Sequence, residues 1–185
     1  MEALEILTNE HRTVLAVVEA ARHDLAVAVE AQHIDGEDVD RLLDFFRYFT
    51  NSCHEPKEED LLFTALHRRG LAWEGYPLSD LLQDHAEMRL TLDSASDWLP
   101  LARQGDTCAT LSLLQDLQIY LDLVELHIAN EERVIFRIAA EWLTPQDLDE
   151  LTEAFLAIAC DELDEGIHAY YADLAQHLTG AVAET

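Results

Sequence analysis

The sequence predicts an all-α protein, an antiparallel up-down-up-down four-helix bundle with an additional C-terminal helical segment. Three observations point there. Apolar residues recur at steps of three and four along four long stretches, the period of a helix with one buried face. Four of the six glycines and three of the four prolines fall between those stretches, at Asp35-Gly36, Gly70 to Pro77, Pro100 to Gly105 and Thr144-Pro145. The first half also repeats in the second: His54, Glu58, Glu59, Leu62 and Phe63 recur 73 positions on as His127, Glu131, Glu132, Ile135 and Phe136. His11 and His85 are related by an offset of 74.

The first helix is expected over 3–32, with Leu4, Leu7, His11, Val14, Val18 and Leu25 on its inner stripe. The second, 38–69, carries Leu43, Phe46, Thr50, His54, Glu58, Leu61 and Ala65. The third, 78–102, is the most regular, with Leu78, Leu81, His85, Met88, Leu92, Ala95 and Leu99. The fourth, 107–142, runs through Leu113, Leu117, Tyr120, Val124, His127, Glu131, Val134 and Ile138. Asp106 and Thr144 suit N-caps, and Pro145 suits the first turn after Thr144. Short links between long helices favour antiparallel neighbours. Residues 1–144 are therefore expected to form the bundle, and 145–185 a helical extension packed on the same domain. That extension should run to about 179 and break near Gly166.

Composition narrows the function. The chain carries 38 acidic and 11 basic residues, a formal charge of −27. Such a surface repels phosphate backbones and attracts cations, which argues against nucleic acid as a partner. No run of about 18 apolar residues is present, so no membrane span is expected. The opening Met1-Glu2-Ala3-Leu4-Glu5 is acidic where a secretory leader would be basic, so a cytoplasmic location is expected. Cys53, Cys108 and Cys160 are odd in number and lack metal-binding spacing. Each is expected as a small buried apolar residue.

Every stripe is interrupted by residues foreign to an apolar core. His11, His54, Glu58, His85, His127 and Glu131 replace aliphatics, at least one on each helix. An unpaired buried carboxylate costs several kcal/mol, a cost that coordination to a metal removes. In an up-down-up-down bundle all six fall roughly 10–22 Å from the same end, at 1.5 Å per residue. The spacing His-x-x-x-Glu, present twice, sets imidazole and carboxylate on one helix face about 5–6 Å apart. Each histidine then serves one ion while its carboxylate reaches the next. Two bridging carboxylates and four terminal imidazoles leave both ions short of six ligands, with room for an oxo or hydroxo bridge and an exogenous molecule. Mixed nitrogen and oxygen donors with open positions suit two iron ions, and manganese after iron.

These segments resemble the hemerythrin-like family, also called HHE cation-binding domains. The matching text is Asn9-Glu10-His11, the run from Cys53-His54-Glu55-Pro56-Lys57-Glu58-Glu59 to Phe63, Asp84-His85, and His127-Ile128-Ala129-Asn130-Glu131-Glu132. The resemblance spans roughly residues 3–142. It implies a non-haem di-iron centre that meets O2, NO or peroxide, in sensing, detoxification or oxidative-stress defence, with a redox partner not named by the sequence. Oxygen carriers of the family have a second histidine where this chain has Arg89, and space the last histidine and carboxylate one residue wider. The chain is closer to the four-histidine, two-carboxylate members, which include iron–sulfur repair proteins. Iron storage, delivery or repair without catalysis is therefore the alternative reading.

Around the six, Glu55 is expected either beside the site or solvated. Arg89 is expected to pair with a bridging carboxylate, line an entry route or lie on the surface. Tyr120 is expected in the core. His23, His33, His67, His168 and His177 lie off the common level and read as surface residues, and Asp161-Glu162-Leu163-Asp164-Glu165 as a solvated face.

Overall fold

The structure, a computed structural model, describes residues 2–31 and 33–158. Helix α1 is Glu2–Ala31. Helix α2 spans 36–68 through Gly36–Phe45, Phe46–His54, Lys57–Leu62 and Phe63–Arg68. Helix α3 is Leu78–Ala102. Helix α4 spans 107–142 through Thr107–Asn130, Glu131–Ile135 and Phe136–Trp142, and α5 is Pro145–Ile158. No strand occurs among the described residues. The boundaries agree with the pattern of breakers to within two residues. The expected continuation of α5 past Ile158, with Gly166, Cys160, His168, His177 and the acidic run 161–165, lies outside the described residues.

Side chains set the helix starts. Asp35 Oδ1 accepts from the backbone N–H of Glu37 at 2.8 Å, and Asp106 Oδ1 from that of Ala109 at 2.9 Å. Each satisfies an N–H the first turn would leave unpaired. Gly105, at φ 84°, turns the chain from α3 into Asp106 in a conformation that L side chains rarely adopt. Thr144 and Asp147 cap each other: Thr144 N donates to Asp147 Oδ2 at 2.7 Å, and Asp147 N to Thr144 Oγ1 at 3.2 Å.

Helices α2 and α4 depart from regular α geometry where the motifs fall. The N–H of Glu55 reaches the carbonyl of Thr50, that of Phe63 reaches Glu58, and that of Phe136 reaches Glu131. Each spans five residues instead of four, a π-type turn that holds one extra residue. The inner face slips by one position as a result. The expected stripe residues Leu61 and Ala65 are half-buried, and Leu62, Phe63 and Leu66 take the core. In α4, Val134 and Ile138 likewise give way to Ile135, Phe136 and Ala139.

The apolar interior forms two clusters. One gathers Val14 to Leu25 of α1, Leu42 to Phe49 of α2, Met88 to Ala102 of α3 and Ala109 to Ile128 of α4. The other gathers Ala3 and Leu7, Leu62 to Leu66, Leu78 and Leu81, Ile135 to Leu143, and Leu148, Leu151 and Phe155 of α5. In every long helix the sequence-predicted polar residues fall at the level where the two clusters adjoin. Helix α5 lies against α1 and the 57–62 stretch of α2. Among the described residues, no helix is long and apolar enough to cross a membrane.

Candidate metal centre

All six polar residues of the stripes converge, and all are buried. Glu58 reaches three imidazoles: His11 Nε2 at 3.5 Å, His54 Nε2 at 3.4 Å and His85 Nε2 at 3.6 Å. Glu131 meets His11 Nε2 at 3.4 Å and His127 Nε2 at 3.3 Å. The Nε2 atoms of His85 and His127 lie 2.7 Å apart. Nitrogens bound side by side to one ion at about 2.1 Å sit about 3 Å from each other, so these two are spaced as neighbouring ligands. Two groups of donors emerge, His11–His54–Glu58–Glu131 and His85–His127–Glu58–Glu131, each with its ligand atoms within 4.8 Å of one another. Both groups share both carboxylates.

Behind each imidazole stands an acid. His54 Nδ1 donates to Glu10 at 2.9 Å, His85 Nδ1 to Glu59 at 2.8 Å, His11 Nδ1 to Glu132 at 3.2 Å, and His127 Nδ1 meets Asp84 at 3.4 Å. A carboxylate can only accept, so each Nδ1 keeps its hydrogen and each Nε2 faces the centre. Acids in this position orient a ligating histidine and strengthen it as a donor. Sequence reasoning gave these four no such role. Their one signal is position: Glu10 and Asp84 precede His11 and His85, while Glu59 and Glu132 follow Glu58 and Glu131.

The π-type turns complete the enclosure. By carrying Phe63 and Phe136 inward, they lay Phe136 parallel to His11 with ring centroids 5.3 Å apart, and Phe63 parallel to His85 at 6.3 Å. On the opposite side a small cavity of about 10 Å³ is lined by Thr50, Met88, Val124, Ile128 and the edges of His54, His85 and His127. It is the size of one water molecule. A larger cavity of about 410 Å³, bounded by Val17, Leu25, Leu42 and Leu114, holds none of the six.

Electrostatics explain how the polypeptide alone holds this cluster. Burial drives the His11 pKa down, but the close approach of the Glu131 and Glu58 carboxylates outweighs it and raises it to about 10. Burial likewise opposes His127, which the Glu131 charge and Asp84 bring to about 10. For His85, burial and the nearby His127 oppose Glu58 and Glu59, and the balance is about 9. Burial alone would raise Glu58, but the His54 charge and the nearby His11 and His85 imidazoles hold it well below the usual carboxylate range. Glu131 is lowered as well: burial and the Glu58 charge are overcome by His127 and His11. Anionic Glu58 and Glu131 thus stand against the raised imidazoles of His11, His85 and His127.

The residues fit a pair of cations on one further observation. Among the described residues, no hydrogen bond reaches His11 Nε2 or either carboxylate oxygen of Glu58 and Glu131. Five buried polar atoms aimed at one volume without hydrogen bonds are costly in a finished core, and are what coordination would satisfy.

Nearby expectations divide. Glu55 is buried, not solvated, and pairs with Arg89, which also bonds Glu59 at 3.0 Å. Arg89 thus pairs with Glu55 and Glu59, and not with Glu58 or Glu131 as one of its expected roles would have it. Tyr120 is in the core, packed edge-to-face on Phe46, and burial raises its hydroxyl pKa well above 10. His23, His33 and His67 are exposed. Cys53 is half-buried and Cys108 exposed, contrary to the buried role expected, because each falls beside the inner face of its helix.

No curated protein and no solved structure matches this chain. A family model does, over residues 2–139: the hemerythrin HHE cation-binding domain. That match takes in α1 to α3, α4 as far as residue 139 and all six converging residues, and the chain belongs to the hemerythrin HHE cation-binding domain family.

Proposed function

We propose that this is a non-haem di-iron protein that binds or reacts with O2, NO or peroxide, in sensing, detoxification or oxidative-stress defence. One ion would be held by His11 and His54, the other by His85 and His127, with Glu58 and Glu131 bridging. The observation that carries the reading is that two four-donor groups share both of their carboxylates. A nitrogen-rich set with two bridging carboxylates suits iron ahead of manganese. Bound there, the ions would supply a ferrous/ferric couple beside an open coordination position.

The protein's own part is positioning. Glu10, Glu59, Glu132 and Asp84 hold the imidazoles by their Nδ1 hydrogens, while Phe63 and Phe136 close one side against water. The small apolar cavity beside Thr50 and Met88 favours a reactant of two or three atoms. We also infer the antiparallel up-down order, with 1–144 as the metal-binding bundle, 145–185 as its extension, and a cytoplasmic setting.

Metal analysis of iron-replete protein should return two ions per chain; far fewer would sink the reading. Anaerobic mixing of the ferrous protein with O2, NO or peroxide should give a fast absorbance change followed by turnover. Slow reaction, with ready loss of iron to an apo-acceptor, would favour storage, delivery or repair instead.

A further inference from the structure

The two-fold likeness of the site stops at one buried cation. Lys57 is 1% exposed, and its Nζ bonds Glu10 Oε1. The other Glu10 oxygen holds His54 Nδ1. An ammonium so deep in a core is rare unless paired. Moved on by the 73-residue repeat, position 57 becomes Asn130, which carries no charge. Asp84, which backs His127 as Glu10 backs His54, forms no ion pair with lysine or arginine among the described residues. Near His85 the balance also differs, since Glu55 and Glu59 share the single guanidinium of Arg89, itself 39% exposed and open to solvent screening.

We propose that Lys57 makes the two ion positions unequal, so that a divalent cation fills the His85–His127 position first and the His11–His54 position second. Two effects act together. A fixed positive charge in a low-dielectric interior opposes a cation nearby. By pairing with Glu10, the same ammonium also draws negative charge away from His54, so that this imidazole donates less strongly than His127. The inference rests on the paired-cation reading and adds an order of loading and its cause.

Cobalt(II) titrated anaerobically into the full-length chain, followed by calorimetry and visible absorption, tests it. Wild type should take two ions in steps about tenfold or more apart, the range typical of outer-partner effects. His127→Ala should remove the tighter step and His54→Ala the weaker. Lys57→Met should tighten the weaker step about tenfold and leave the tighter one unchanged, while Lys57→Arg keeps the wild-type spacing. Glu10→Gln, which leaves the ammonium unbalanced, should weaken the weaker step further. Equal steps in wild type, or a Lys57→Met chain whose two steps move together or not at all, would overturn the inference. If circular dichroism shows Lys57→Met unfolded, Glu10→Gln decides against Lys57→Arg: a wider spacing supports the proposal and an unchanged one overturns it. Fewer than two cobalt ions per wild-type chain would instead remove the paired-cation reading itself.

Discussion

Helices α1 and α2 bring His11, His54 and Glu58 to the centre, and α3 and α4 bring His85, His127 and Glu131. The halves share more than ligands. Each has an acid on every Nδ1, a π-type turn starting at its shared carboxylate, and a phenylalanine laid on the first imidazole of the other half. They part in two places: α2 carries an additional π-type stretch at Phe46–His54, and Lys57 corresponds to the uncharged Asn130 in the repeat. What is duplicated is thus what orients a donor or excludes water, and what differs sets charge. A two-fold scaffold builds a symmetric pocket, and a single unmatched side chain is enough to make its two positions distinct.

The largest break in that comparison comes from the shared parts. Glu58→Ala combined with Glu131→Ala should abolish binding of both ions by metal analysis, because each carboxylate serves both halves, while His23→Ala should leave two. Acidity comes next. His11 and His127 near 10 and His85 near 9 carry protons at pH 7 in the polypeptide alone, so a cation must displace them. Affinity should therefore rise at least about tenfold per pH unit between roughly 6.5 and 9, with proton release seen by calorimetry in buffers of different ionisation heat. The stability of the metal-free chain has the opposite sign. Folded pKa values above the unfolded 6.5 give stabilisation that is full below 6.5 and lost as pH rises through about 9 to 10, readable as a falling melting temperature.

A third test probes whether the packing is duplicated. Phe63→Ala and Phe136→Ala should each cost about 3–5 kcal/mol in urea unfolding, and similar values would show the two imidazole floors to be equivalent. The smallest effect concerns the helix starts. Asp35→Ala and Asp106→Ala, at the caps of α2 and α4, should each cost about 1 kcal/mol by thermal unfolding.

The sequence exposed the six donors because each breaks an apolar stripe, a contrast that needs no structure to see. It hid the outer acids, since Glu59, Glu132 and Asp84 are ordinary members of a chain with 38 acidic residues. The register slip escaped a strict 3.6-residue template, which places Leu61 and Val134 inside. Leu62–Phe63 and Ile135–Phe136, bulky, repeated and off that stripe, were its trace. Lys57 gave no warning at all, because lysine is taken as solvent-facing unless a partner is known, and Glu10 becomes its partner only when α1 and α2 meet. Residues whose role depends on contrast within one helix were legible. Those whose role depends on a neighbour across the bundle were not.

The polar layer between the two apolar clusters has a consequence for lifetime. Neither cluster alone is the whole core, and the six donors lie at the level where the two adjoin. A cation held there binds the folded chain and not the unfolded one, so its concentration adds directly to folding free energy, by about 2.7 kcal/mol at a hundred times the dissociation constant. Amide exchange should then slow across both clusters together on loading, and separately without it. Supply of the ion would govern how long a copy of the protein survives, as well as what it can do.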